Sequence, residues 1–165
     1  MLGHSLLLFI AMSQSESDIH RKTAVKCFNE AWDFLDKKNR NASDEQQMLH
    51  LAHASRYHWG FVGNARNFAI GDWQISRVYA ALGEPRLALH FAKSCLEITQ
   101  KNNIVDNLPS AYEGMARAYA VAKDSKSARD YVNKARAQLE KTPGMSAGDK
   151  KVYADQIRET EGLIG

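Results

Sequence analysis

Residues 77–98 read RVYAALGEPRLALHFAKSCLEI, and residues 117–138 read RAYAVAKDSKSARDYVNKARAQ. Aligned without a gap at an offset of 40, Arg77 meets Arg117, Tyr79 meets Tyr119 and Ala80 meets Ala120. Further on, Ala88 meets Ala128, Phe91 meets Tyr131 and Cys95 meets Ala135. Self-similarity at a fixed period marks a repeat architecture, in which each unit buries its apolar face against its neighbour. The fold class follows before any one helix is argued: all-α, built from antiparallel helix hairpins.

Working outward, helical signals fill the chain. The first helix is expected over 16–39, where Ala24, Phe28, Ala31, Trp32 and Leu35 form one apolar stripe. Ser43 with Gln46 suggests a capping box for a second helix over 43–60. The third is expected over 64–82, closed by Gly83, and the fourth runs from Pro85 to about Gln100. Residues 101–107 read as a loop. A fifth helix starts at Pro109, a sixth follows Asp124-Ser125, and a seventh opens at Ser146 after the Pro143-Gly144 break.

The two repeated units resemble tetratricopeptide repeats. Ile75-Ser76, Tyr79, Gly83-Glu84, Ala88 and Cys95 match that pattern in the first unit. Tyr112, Met115-Ala116, Tyr119, Asp124, Ala128 and Ala135 match it in the second. The small residues let two helices approach closely, and the tyrosine fills the gap. Asp72 and Ala92 depart from the pattern, which has large apolar residues at both places, and the offset of 40 exceeds the family's period of about 34. The resemblance implies a right-handed superhelix of stacked hairpins. A degenerate pair spans 16–62, repeats span 64–101 and 108–141, and a capping helix spans 146–163, all within one domain over 16–165.

Residues 1–15 stand apart as a leader. An over-extended gene start with Met12 as the true start, a segment lying on the fold, and an export signal over 1–13 are the three alternatives. Two cysteines, Cys27 and Cys95, are too few for a disulfide framework and suit a reducing, cytoplasmic compartment, with export the alternative. The formal charge of +3 is spread among acidic residues, so neither nucleic acid nor a membrane is expected as a partner.

The resemblance implies that the first helix of each pair lines a concave groove. On the third helix, Phe68, Ile75, Tyr79 and Leu82 share the core face by angle, leaving Ile70, Trp73, Arg77, Ala80 and Ala81 on an open side. The fifth helix then presents Glu113, Arg117, Ala120 and Val121 at matching places. Arg77 and Arg117, about 10 Å apart on neighbouring helices, suit a carboxylate, a phosphate or an acidic peptide. The position is similar to the carboxylate clamp of some tetratricopeptide domains, whose lysines and asparagines are absent here. The competing reading is local: Arg77 stacks on Trp73, and Glu113 pairs with Arg117 one turn on. The double reversal Arg77→Glu with Arg117→Glu is expected to abolish capture with little effect on melting.

His50, His53 and His58 suggest no metal site, because no third ligand lies near and no His-Glu-x-x-His motif exists. His58 and Asp72 border facing core stripes, so a half-buried pair is one expectation and two separately solvated residues the other. Asp33 and Asp36 read as surface. No phosphate-cradling glycine loop, Gly-x-Ser-x-Gly or Cys-x-x-Cys is present. The sequence thus suggests a non-catalytic scaffold without cofactor, taking a protein or peptide partner through Trp73, Arg77, Glu113, Arg117, His58 and Asp72. A small-molecule sensor using the same groove, and a homodimer formed through Tyr57 and Trp73, are the alternatives.

Overall fold

The computed structural model describes residues 13–165, so the readings of 1–12 lie outside the described residues. Seven α-helices and no strand occur among them: α1 (Gln14–Leu35), α2 (Ala42–Val62), α3 (Ala65–Ala81), α4 (Pro85–Lys101), α5 (Leu108–Val121), α6 (Ser125–Lys141) and α7 (Ala147–Glu161). None is long and apolar enough to cross a membrane. Helix α1 pairs with α2, α3 with α4 and α5 with α6. Contacts between α2 and α3 and between α4 and α5 join the pairs, and α1, α3, α5 and α7 touch in succession along one wall.

Several boundaries move for local reasons. Helix α1 stops at Leu35 rather than 39, and Arg40 Nη1 donates to the carbonyls of Phe34, Leu35 and Lys37 at its end. Asn41, not Ser43, caps α2: its side chain accepts from the Asp44 amide, and Asp44 accepts from the Asn41 amide. The expected loop at 101–107 contains a 3-10 turn at Val105–Asn107 that leads directly into α5.

The offset of 40 is written into the geometry. Tyr79 stacks on Phe91 with centroids 5.7 Å apart and planes 14° apart; Tyr119 stacks on Tyr131 at 5.7 Å and 16°. At the hairpin turns, the Glu84 amide donates to the Tyr79 carbonyl at 2.9 Å and the Asp124 amide to the Tyr119 carbonyl at 3.0 Å. These close the same left-handed helix end, with Gly83 at φ 73° and Lys123 at φ 63°. Ala88, Cys95, Ala128 and Ala135 are all sealed at the crossings. Ser76 Oγ reaches the Ala88 carbonyl at 2.8 Å, binding α3 to α4, and its counterpart Ala116 is fully buried between α5 and its neighbours.

The expected split of α3 into a core face and an open face is not found. Every residue from Gly71 to Val78 is buried. A helix in the middle of a stack has neighbours on all sides, so its polar residues are buried by being paired rather than left outside. Gln74 Nε2 donates to the Phe28 carbonyl on α1, and Asp72 accepts from Arg56 on α2 and Ser94 on α4.

The two equivalent turns differ in one respect. A non-glycine residue in the left-handed region costs about 1–2 kcal/mol, of which glycine's greater unfolded freedom returns roughly half. Lys123→Gly is therefore expected to stabilise by up to about 1 kcal/mol, while Gly83→Ala destabilises by about 1 kcal/mol. Urea unfolding of both variants checks the opposite signs.

Candidate functional site

Four residues selected on sequence grounds do converge, though in a buried network rather than on an open platform. Glu113, in the second turn of α5, is 1% exposed. Its Oε2 accepts from Trp73 Nε1 at 2.9 Å. Its Oε1 accepts from Arg117 Nε at 2.8 Å and from Thr160 Oγ1 at 2.5 Å, and lies 3.6 Å from Arg77 Nη1. Burial pushes the Glu113 carboxyl up. Arg117 and Arg77, with the hydrogen bonds from Thr160 and Trp73, more than offset it, and the group sits below the usual glutamate range.

Trp73 is 7% exposed, so its expected openness is corrected. Trp32 of α1 packs 5.7 Å from it, and the Arg77 guanidinium lies 5.1 Å from the Trp32 ring centre and 5.7 Å from that of Trp73. Gly114 lets this happen: a Cβ there would stand 3.0 Å from Trp73 Cδ1. The stacking of Arg77 on Trp73 and the pairing of Glu113 with Arg117 are both present, as the local reading anticipated.

Sequence reasoning placed α7 as a capping helix but missed the role of Glu159 on it. Glu159 contacts Arg77 Nη2 at 2.6 Å and Arg117 Nη1 at 3.4 Å, so the two guanidinium groups are close enough to share one carboxylate. Its side chain remains 56% exposed. Burial pushes its carboxyl up, and Arg117 and Arg77 more than offset this, so the group sits below the usual glutamate range. Beside this bridge, Arg77, Arg117, Arg40, Asp36, Ala81 and Glu159 border a cavity of about 560 Å³. Arg77 Nη1, Arg117 Nη2 and Arg40 Nε are sealed from solvent without a hydrogen-bond acceptor. The repeat offset gave no signal for Glu159, since one more step of 40 beyond Arg117 falls on the buried Ile157.

His58 and Asp72 do not pair. Asp72, 4% exposed, is held by Arg56 Nε at 2.8 Å and Ser94 Oγ at 2.6 Å. His58 Nδ1 instead lies 2.8 Å from His20 Nδ1 on α1. The expected half-buried pair of His58 with Asp72 is therefore not formed, and neither residue borders the arginine cavity. His53 is half-buried, with Nε2 3.1 Å from the Tyr79 hydroxyl and its ring edge-on to Phe91. No group of three or more His, Cys, Asp or Glu among the described residues is placed to hold a metal ion. Burial pushes the Cys95 thiol up to about 12, which leaves it unreactive at neutral pH.

No protein-family model matches the chain, and neither do the curated proteins or solved structures compared with it.

Glu113→Gln is expected to destabilise by about 3 kcal/mol or more in urea unfolding, because it leaves two buried guanidinium groups facing a neutral amide. The double reversal Arg77→Glu with Arg117→Glu, expected on sequence grounds to spare melting, would crowd new carboxylates around Glu113 and prevent folding. A second outcome concerns acid. Burial lowers the His53 pKa, with Asp72 opposing and His50 reinforcing. The unfolded chain therefore binds the proton more readily, and the stabilisation present above pH about 6.5 is lost as pH falls through the lower folded value. Stability measured from pH 7.5 to 5 should fall less in His53→Gln than in the natural chain.

Proposed function

We propose that this chain is a non-catalytic interaction module, a tetratricopeptide-like stack of helical hairpins. It holds a peptide segment by an acidic group in the hollow along α1, α3, α5 and α7. The observation that carries the reading is the convergence of Arg77, Arg117 and Arg40 on the lining of one cavity. Arginine forks suit a carboxylate or phosphate. The repeat geometry supports the same reading, because matched tyrosine stacks and matched turns place Arg77 and Arg117 at equivalent points of adjacent units.

One observation favours the small-molecule alternative. A cavity of about 560 Å³ falls within the range of ligand pockets, and a free organic acid would meet the same arginines. Tyr57 and Phe61, both exposed, leave a homodimer as a further state of the same module.

Ala81 offers a test that leaves the ionic network intact. It ends α3, is exposed, and borders the cavity. Ala81→Glu should lower retention of cross-linked, identified partners by at least about tenfold, since like charge at the mouth repels an acidic segment, and should leave the melting temperature within a few degrees. Retention of the same partners at unchanged yield would remove the cavity from the binding surface.

A further inference from the structure

We infer that Glu159 is a built-in stand-in for the ligand, an internal carboxylate that an incoming carboxylate must replace to reach Arg77 and Arg117. The inference rests on the proposed anion-binding role of this cavity and names its ligand class and its control.

Glu113 and Glu159 meet the same two arginines in different ways. Glu113 is sealed and held by Trp73, Thr160 and Arg117. Glu159 is held by the arginines alone, with a side chain 56% exposed. Its contact with Arg117 is loose: 3.4 Å from Nη1 in a marginal hydrogen bond, and 3.4 Å from Nη2 without hydrogen-bonding geometry. Glu159 therefore swings out at the cost of one strong contact, whereas Glu113 cannot leave without breaking the core. Thr160, the next residue, anchors α7 to Glu113, so the helix stays docked while Glu159 moves.

Charge selects the replacement. Arg40, Arg77 and Arg117 line the cavity with Asp36 and Glu159, and the sealed Glu113 behind them completes the charge balance. Swinging Glu159 out to solvent leaves a surplus of one positive charge. A single carboxylate restores neutrality, while a phosphate dianion overshoots and faces Asp36. The ligand is accordingly a monocarboxylate, presented by an acidic side chain or a chain end. Glu159 then lowers its apparent affinity by the fraction of time that it occupies the site itself.

Glu159→Ala removes the fragment that acetate supplies, a methylene and a carboxylate. The probes are sodium acetate, sodium phosphate and sodium chloride at matched ionic strength. The readout is emission from Trp32 and Trp73, both within reach of Arg77. Acetate should saturate Glu159→Ala at a concentration at least about tenfold lower than the natural chain needs, and raise its melting temperature, while phosphate follows chloride. The double variant Arg77→Gln with Glu159→Ala should lose the saturable response. Acetate indistinguishable from chloride, equal saturation in both proteins, or preference for phosphate overturns the inference. Partner retention that still depends on Ala81 would then show docking that spares Glu159. A saturable acetate site without any cavity-dependent partner would instead overturn the peptide reading and leave a free organic acid as the ligand.

Discussion

A carboxylate with almost no solvent contact must find its compensation inside the protein, and Glu113 finds it from three directions. Trp73 reaches it from α3, Arg117 from its own helix and Thr160 from α7. An isolated buried charge would cost several kcal/mol, so the position of each donor is constrained by the others. Trp73 must point inward, Gly114 must leave room for its ring, and the last helix must come back across the wall formed by α3 and α5. Arg77 and Glu159 complete the charge balance at the edge of this node.

The helix crossings of the first two hairpins follow the same economy of buried polarity. Asp72 occupies a place where the repeat pattern has a large apolar side chain, and it joins α2, α3 and α4 through Arg56 and Ser94. Ser55 Oγ donates to the Ala24 carbonyl, and Gln74 Nε2 to that of Phe28. Each is a directional bond across a helix crossing. Such bonds fix the register of neighbouring helices in a way that alanine contacts alone do not, because apolar packing tolerates sliding more readily than a paired donor does.

The hairpin order and the equivalence of 77–98 with 117–138 were legible, because period and turn chemistry are local properties of the chain. Tyr79 and Tyr119 could be assigned to matching gaps without knowledge of any other helix. The openness of Trp73 was not legible. Sorting α3 by angle treats a polar or bulky residue away from Ile75 as solvent-facing, and that holds only when one face is covered. Here Trp32 and Glu113 supply the cover from 41 residues before and 40 after. His58 and Asp72 were linked because both border core stripes. Angle gives the side of a helix but not the height along it, and Arg56, two residues earlier, stands where Asp72 needs a partner.

Repetition itself creates the electrostatic problem that the site resolves. Copying a unit with an inward arginine places Arg77 and Arg117 at equivalent points of adjacent helices, and the like charges accumulate along the wall. A faithful copy would also put tryptophan at position 113, opposite Trp73, and leave both arginines without a counterion. The chain departs from repetition at that position, where Glu113 replaces the aromatic ring, accepts from Trp73 and Arg117, and serves as counterion to both arginines. One carboxylate cannot neutralise two guanidinium groups, so a second must come from outside the repeats, and α7 provides it as Glu159. The buried acid is thereby committed to the fold. The exposed acid carries only the residual charge, at the edge of the network.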